Sequence, residues 1–497
     1  MPLSPTLTLD LQFPLREYQT EAVKALVNTC PARDVLLLVP TGYGKSIVYW
    51  TAGQRLGGLT LVVSPLRALI RNQIARLTAM SVPAWAWNSD TTGSDKQTLS
   101  RRLTEGSLVG FLYTTPESLS NRRFRDLLQG VRLIAIDEAR CALSETSYRP
   151  DYRKLGQHLS DLGATGPTIA CTATLRRSDR DSLVESLRLD SPAVITVPVE
   201  RSNLTFDVQN PRCSVMIAQC YKAHAPESGI VFAATRRTVQ TLCEELTALN
   251  YPATCYHGGM NRAAREEAFN QWFSGRTPIM VATDAFGLGI HNPSCRWVFT
   301  YDPPKDIEDW VQQFGRAGRD GAGAVIYAAF GESSGKGHGI DFDEGVRSRA
   351  FLLASSWPTL ADIAAVWHSL SEVKERDEYL EGPWSRLVSK VLGPSAVFSS
   401  VAIKTALTRK GLLESQYGAE TATQHPDSSS SSKIVRKKRR SYFRCCGDFG
   451  STDWSDYHAD RQTALTRWNN MRTMMNRPSA EIASALDTYF DPDREPS

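Results

Sequence analysis

The chain has 497 residues, enough for about three domains. Hydrophobic residues make up 41% and charged residues 22%, the balance of ordinary globular cores, which argues against a fibrous or largely disordered chain. A net charge of +4 permits a nucleic-acid partner without arguing for one, so local clustering has to carry that question. The ten cysteines form no C-x-x-C pair and sit mostly in apolar runs. That speaks against a disulfide framework or a four-cysteine zinc site and for buried thiols in a reducing compartment. The N-terminus carries Asp10 and no Arg before Arg16, which argues against secretory and mitochondrial targeting. No apolar run is long enough to span a bilayer, so the expectation is a soluble intracellular protein with no membrane partner.

In chain order, Phe13 to Lys24 reads as a helix on which Arg16 and Gln19 lie one turn apart. The pair suits hydrogen bonding to a nucleotide base, and equally a solvated helix face. An apolar run, Val35 to Val39, predicts a buried strand. It leads into Pro40-Thr41-Gly42-Tyr43-Gly44-Lys45-Ser46 and then a helix opening at Ile47. Strand, Gly-rich turn and helix is the layout of a phosphate-binding loop. Gly42 and Gly44 allow a tight turn whose N–H groups face an anion, Lys45 offers a point charge to the β- and γ-phosphates, and Ser46 offers a ligand to Mg²⁺. The usual first Gly of this motif is Val39.

Further apolar runs predict strands at Leu59 to Val63, Val109 to Tyr113, Val131 to Ile136 and Thr168 to Cys171, each followed by a polar turn or helical stretch. Such alternation predicts a parallel, doubly wound α/β sheet, with ligands at the C-terminal strand ends. Asp137 and Glu138 occupy one such end. There the first carboxylate suits holding Mg²⁺ and the second suits orienting or deprotonating an attacking water. Asp190 to Arg201, with two prolines, reads as a connector. A second alternating half follows, with strands at Gly229 to Ala234, Ala253 to Tyr256, Pro278 to Ala282 and Arg296 to Tyr301. It has no phosphate loop. Trp310 opens a helix carrying Gln312, and the turn beyond it holds Arg316 and Arg319, spaced by Ala-Gly. The two arginines suit neutralising a transferring γ-phosphate, or a basic surface turn.

Taken together these residues resemble the superfamily-two helicases, and among them the RecQ-type DNA helicases. The ordered series is TGYGKS, SPLRALIRNQ, YTTPESL, DEARC, RPDY, TAT, RSNL, YHGGM, TDAFGLGI and QQFGRAGRDG, between about Phe13 and Phe330. The resemblance implies two tandem RecA-like lobes, at residues 1–195 and 196–335, with ATP and Mg²⁺ in the cleft between them. It places Arg16 and Gln19 at the adenine, and Thr41, Gly42, Tyr43, Gly44, Lys45 and Ser46 at the phosphates. Asp137 and Glu138 become the metal- and water-handling pair, and Thr172 and Thr174 link hydrolysis to movement. Gln312, Arg316 and Arg319 form the second lobe's share of the ATP site, with Arg319 as the finger. Thr235, His257 and Thr283 fall near the nucleic-acid backbone. The activity implied is ATP-dependent 3′-to-5′ translocation and unwinding of DNA, single-stranded and duplex, in repair or recombination.

Several residues depart from the family pattern. Arg140 stands where the family has His, and unlike His it cannot accept a hydrogen bond. The following loop, Ala142 to Tyr148, lacks the family's aromatics, leaving Tyr148 and Tyr152 nearby. His291 replaces an acidic residue, and residues 331 to 440 contain no cysteine, so the family's zinc module is absent or rebuilt. These departures motivate two alternatives: a DNA-stimulated translocase that unwinds poorly, and a nucleic-acid-binding protein without turnover.

Gly331 to Gly339 is a Gly/Ser-rich linker, and residues 336–423 are expected to be mostly helical. Phe398 to Leu413 fits a plain helical core or a small helix–turn–helix piece, with a reduced winged helix as a variant. Residues 424–497 read as a Ser-rich and basic linker with an aromatic tail. Lys433, Arg436, Lys437, Lys438, Arg439 and Arg440 suit nuclear import, a phosphate-binding patch or a solvated linker. Tyr442, Phe443, Trp454, Tyr457 and Trp468 suit stacking on single strands, partner binding or a small core.

Overall fold

The computed structural model describes residues 14–28, 33–40, 42–65, 67–143, 152, 154–162, 164, 166–198, 201–286, 292, 294–330, 342–371, 380–381, 384–418, 440–446 and 448–491. Thr41, Tyr148, His291, the linker 331–339 and the basic run 433–439 lie outside them. The described residues pack as two compact units. One takes in the chain up to Val346 and again from Arg467 on, and the other takes in Arg347 to Thr466.

The first unit contains two parallel sheets. Strands β1 (Val35–Leu38), β2 (Leu59–Val63), β3 (Ala84–Trp87), β4 (Gly110–Thr114), β5 (Val131–Ile136), β6 (Thr168–Thr172) and β7 (Ala193–Thr196) lie in the order β3-β4-β2-β5-β6-β1-β7. Because helices cover both faces, the inner strands are largely apolar rather than alternating. Successive residues still point to opposite faces. Leu36, Leu38, Leu61, Val63, Ile134 and Ile136 pack into one core, and Val35, Leu37, Val62, Leu133 and Ala135 into the other.

Strands β8 (Leu204–Asp207), β9 (Ser228–Phe232), β10 (Ala253–Tyr256), β11 (Ile279–Ala282), β12 (Cys295–Thr300) and β13 (Ala324–Ala328) form the second sheet, in the order β10-β11-β9-β12-β13-β8. Here a glycine is required by close approach: a Cβ on Gly229 would lie 1.9 Å from the ring of the buried Trp297. Gly229→Ala is expected to destabilise this lobe by about 1–3 kcal/mol through overpacking, read as a lower urea midpoint with an unchanged slope.

The segment read as a connector, Asp190 to Arg201, contains β7, which pairs in parallel with β1 from Val35↔Ala193 to Leu38↔Thr196. As an edge strand it tolerates the flanking Pro192 and Pro198.

The second unit is mostly helical, as expected, and adds a small sheet. Helices Leu360–Ser371, Trp384–Leu392 and Ser400–Arg409 accompany an antiparallel sheet of β14 (Leu380–Glu381), β15 (Leu413–Gly418) and β16 (Arg440–Cys445), in the order β14-β16-β15. Helix, strand, two helices and a strand pair is the order of a winged helix. The expected boundary at 423/424 therefore falls inside a paired hairpin. Phe443, Trp454 and Tyr457 are buried with Trp367, Trp384 and Ile403, and the Tyr457 hydroxyl donates to the Pro358 carbonyl at 2.7 Å. These aromatics build a core and present no stacking platform.

The last described residues, in the aromatic tail, form helices. They return to the first unit through the helix Ser455–Met475 and the helix Ile482–Phe490. Trp468, Met471, Ile482, Leu486 and Phe490 are buried. The Gln209 amide donates to the carbonyls of Met475 and Arg477, at 3.3 and 3.1 Å, and Val208 N–H to the Ser479 hydroxyl at 3.0 Å. On the first lobe, Asp179 receives Arg467 at 3.4 Å. No single described helix is long and apolar enough to cross a membrane. The bent pair Arg349–Ser356 and Leu360–Ser371 passes on length and composition together, but Ile363, Val366, Trp367 and Leu370 of its second helix face a protein core.

Candidate nucleotide site between the two sheets

The turn after β1 adopts the geometry its glycines permit. Gly42 and Gly44 have φ of +88° and +90°, a region that L side chains rarely adopt, and Gly44 caps the helix Lys45–Leu56. Backbone N–H groups at that helix start face outward without i−4 partners, Ile47 N–H donating instead to the Gly44 carbonyl at 3.1 Å, so the turn is suited to an anion. Lys45 Nζ is buried and has no hydrogen-bond partner among the described residues. It acts electrostatically on the neighbouring Asp137, and a phosphate in the turn would give it a second anionic neighbour.

Opposite the loop, Gln73 organises the metal-handling residues. Its amide nitrogen donates to Asp137 Oδ2 at 3.0 Å and to Ser46 Oγ at 3.4 Å, while its oxygen accepts from the Tyr49 hydroxyl at 2.8 Å. Ser46 and Asp137 are thereby held side by side. Gln73 was quoted in the sequence series without a role, because only its position in space reveals one. Glu138 has φ of +51°, a left-handed conformation that costs a non-glycine residue about 1–3 kcal/mol and concentrates at functional sites. Burial and the neighbouring Glu138 push the Asp137 carboxyl up from its ordinary value, to about 6. Among the described residues no cluster of three or more His, Cys, Asp or Glu is arranged for a metal. One hydroxyl and one carboxylate fit a Mg²⁺ that takes its remaining oxygens from phosphate and water.

A proton on Asp137 would compete with a bound Mg²⁺. Affinity for a Mg-nucleotide is expected to fall as pH drops through about 6, with Asp137→Asn removing that dependence. Titration of a fluorescent nucleotide between pH 5 and 8 (a range of about three units around the carboxyl) checks this.

Arg16 and Gln19 meet Tyr43 beside the loop. The Arg16 guanidinium lies over the Tyr43 ring at 5.1 Å, and Gln19 Nε2 donates to the carbonyls of Gly44 at 3.2 Å and Tyr43 at 3.5 Å. The Tyr18 hydroxyl also donates to the Tyr43 carbonyl. Thr172 and Thr174 are buried at the end of β6, joined by a 3.3 Å hydrogen bond from the Thr172 hydroxyl to the Thr174 carbonyl.

The second sheet supplies the arginines. Arg319 lies against the phosphate loop: a Cβ on Gly42 would sit 3.2 Å from Arg319 Cγ and Cδ. Arg316 is buried, and its Nε has no hydrogen-bond partner among the described residues. Burial, and then the neighbouring Arg319, lowers the Arg316 guanidinium to about 9, against the pull of Glu138. Burial lowers Arg319 to about 10. Two desolvated guanidiniums facing an acid pair and a Gly-rich turn are poised for an anion between them. The turn that carries them is held from below. Arg201 donates to the carbonyls of Gly315 and Gly318, and Asn203 Nδ2 to those of Gly318 and Ala322 at 2.9 and 2.7 Å. Gln312 is half-buried on the helix Ile307–Phe314, whereas its neighbour Gln313 is buried and donates to Asp284 at 2.8 Å. Sequence reading assigned no role to Arg201, Asn203 or Gln313.

Thr235, His257 and Thr283 follow β9, β10 and β11, three adjacent strands, and so share one edge of the second sheet's C-terminal rim. Thr235 caps its helix through a 3.1 Å bond from Thr238 N–H. His257 is buried with Nε2 3.4 Å from Gln240 Nε2, and the Thr283 hydroxyl accepts from Ala285 N–H at 3.4 Å. Tyr152, one of the two aromatics left near the altered loop, is wholly buried in the first lobe's core.

Residues 16–182 match the DEAD/DEAH box helicase family, and residues 213–321 match the helicase conserved C-terminal domain. The chain thus carries a two-lobed helicase core, one domain on each parallel sheet. It is 34% identical over 304 residues to the ATP-dependent DNA helicase RecQ of Synechocystis sp., covering 58% of this chain and 63% of that one. It is 33% identical to RecQ of Bacillus subtilis, covering 63% and 54%, and 30% identical to the RecQ-like DNA helicase BLM of Xenopus laevis, covering 62% and 24%. The paired domains are RecQ-type helicase domains, and the chain spans less than two thirds of the length of these relatives. In three dimensions the chain is similar to the Mycobacterium smegmatis helicase Lhr bound to ssDNA and AMP-PNP, with a TM-score of 0.51 at 21% identity over 76% of this chain and 53% of that one. Saccharomyces cerevisiae Dbp5 bound to RNA and ADP BeF3 gives 0.51 at 17% identity, over 67% and 86%. At these identities the likeness is one of fold.

Proposed function

We propose that this chain is an ATP-dependent 3′-to-5′ DNA helicase of RecQ type, acting in repair or recombination. The observation that carries the reading is Arg319 of one sheet lying over the Gly42 turn of the other, the turn that leads into Lys45, whose Nζ is buried with no hydrogen-bond partner among the described residues. In this reading Arg16, Gln19 and Tyr43 hold the adenine. The turn from Thr41 to Ser46, with Lys45 as its cation, holds the phosphates. Ser46 and Asp137 would hold Mg²⁺, which would offset phosphate charge. Glu138 orients the attacking water and takes its proton. Arg316 and Arg319, with Gln312 behind them, stabilise charge on the departing γ-phosphoryl group. The triphosphate draws the lobes together, its hydrolysis lets them part, and Thr235, His257 and Thr283 grip the DNA backbone from the second lobe. The lobes are residues 1–195 and 196–335.

A second reading is a DNA-stimulated translocase that unwinds poorly. Burial of Tyr152 favours it, since base stacking on an exposed ring contributes about 1–3 kcal/mol that this loop does not draw from Tyr152. Strand displacement on a 3′-tailed duplex separates the two: unwinding that fails on a 5′-tailed duplex supports the helicase, while ATP turnover without displacement supports the translocase. The basic run 433–440 suggests a nuclear address. Nuclear retention of a fluorescent fusion, lost when these residues become alanine, is the expected result.

A further inference from the structure

Arg140, the residue after the Asp137-Glu138-Ala139 stretch, crosses the seam between the sheets. It projects from the short helix Ala139–Leu143 on the first lobe. Its Nη2 meets Asp309 Oδ1 at 2.9 Å, and its Nη1 lies 3.7 Å from Asp306 Oδ1 and 3.9 Å from Glu308 Oε2. All four side chains are largely out of solvent, with exposures of 15% for Arg140, 5% for Asp306, 1% for Glu308 and 14% for Asp309. Such a pair is not a rim contact: it is little screened by salt, and removing one partner leaves buried charge uncompensated.

The three acids form the first turn of the helix Ile307–Phe314. Asp306 is its N-cap, accepting from Asp309 N–H at 2.7 Å, and the helix dipole favours carboxylates there. Other partners hold them in place. Lys305 Nζ meets Asp309 at 2.8 Å, while Arg176 Nε at 3.8 Å and the Tyr489 hydroxyl at 3.3 Å face Glu308. The helix has 8 residues and is about 12 Å long, and at its far end Gly315 turns the chain into Arg316 and Arg319.

One short rigid path therefore runs from Glu138 through Arg140 to the start of this helix, and along it to the two arginines. We propose that Arg140 is a positioning residue: through Asp309 it holds the arginine-bearing helix against the first lobe, so that Arg316 and Arg319 face the phosphate loop before any nucleic acid binds. This rests on the reading of those arginines as ATP-site residues. It follows that basal turnover in this chain depends on Arg140, and that nucleic acid adds less to turnover than it does once Arg140 is removed.

The test is ATP hydrolysis by the full chain without and with saturating single-stranded DNA, for wild type, Arg140→Ala, Arg140→Lys, Asp309→Asn and the Arg140→Ala/Asp309→Asn pair. Arg140→Ala is expected to lower the DNA-free kcat about tenfold or more, as misplaced catalytic groups do, with KM for ATP within about twofold because Arg140 touches no nucleotide-binding residue. Single-stranded DNA should recover much of the loss, so the stimulation ratio rises. Arg140→Lys should retain most of the DNA-free kcat. The double variant should be no worse than Arg140→Ala, because both changes break one link. An unchanged DNA-free kcat in Arg140→Ala, or additive losses in the double variant, overturns the proposal. Should wild type hydrolyse no ATP under any condition, the ATP-site reading fails, and hydrogen exchange then decides the Arg140 claim separately. Faster amide exchange over residues 307–319 in Arg140→Ala, with exchange over strands β1 and β2 unchanged, supports the tie, and unchanged exchange over 307–319 refutes it.

Discussion

Lys45→Ala should reduce ATP hydrolysis at least about 100-fold, the scale on which removing one preorganised donor from a charged transition state acts. The ammonium lies at the start of the helix after the Gly42 and Gly44 turn, where its positive end and the free N–H groups already favour an anion. The loss should not come from unfolding. Lys45 Nζ makes no hydrogen bond among the described residues, so alanine breaks none, although it removes a positive charge from beside Asp137. The melting temperature of the nucleotide-free variant is expected to change little while phosphate release collapses. Retained DNA-stimulated hydrolysis would show that the phosphates sit elsewhere.

Arg319→Ala should have a comparably large effect with a different signature. Arginine fingers contribute about 10³–10⁵ in kcat in phosphoryl transfer, and they act on charge that develops only in the transition state. The expected result is a kcat lower by about a thousandfold with KM for ATP little changed, since the base and phosphate contacts of the first lobe remain. Arg319→Lys should not restore the rate, because an ammonium lacks the planar fork that spans two phosphate oxygens. Burial already lowers this guanidinium to about 10, so the folded protein holds it desolvated at a cost that phosphate would offset. An equal rise in KM with kcat preserved would instead make Arg319 a ground-state binding residue.

Much of the architecture was legible because the buried strands announce themselves. The runs at Val35, Leu59, Val131 and Ile279 are largely apolar, as strands covered on both faces tend to be, and each forms where expected. The strands that escaped notice include β3, β7 and β8, which lie at sheet edges, bury less and alternate weakly. In the second unit, β15 and β16 are separated by a long polar stretch that hides their pairing. The helix Ser455–Met475 spreads its apolar residues around its circumference, so no stripe marks it as packed.

The site was legible in its residue types and less so in its wiring. Glycines with positive φ, a lysine, an acid pair and two spaced arginines are chemistry that spacing alone suggests. Gln73, Arg201, Asn203 and Gln313 act by bridging segments far apart in sequence, and nothing in their local pattern marks them. Arg140 stands out in the sequence only as a departure from the family's His. Its carboxylate partners, more than 160 positions away, give it a role that no local reading contains.

The most direct measurement compares ATP turnover by the wild-type chain with no nucleic acid, single-stranded DNA, duplex DNA and RNA at equal nucleotide concentration. The account predicts hydrolysis that requires Lys45 and Arg319 together and is fastest with single-stranded DNA. Turnover absent under all four conditions, or indifferent to loss of either side chain, would contradict it.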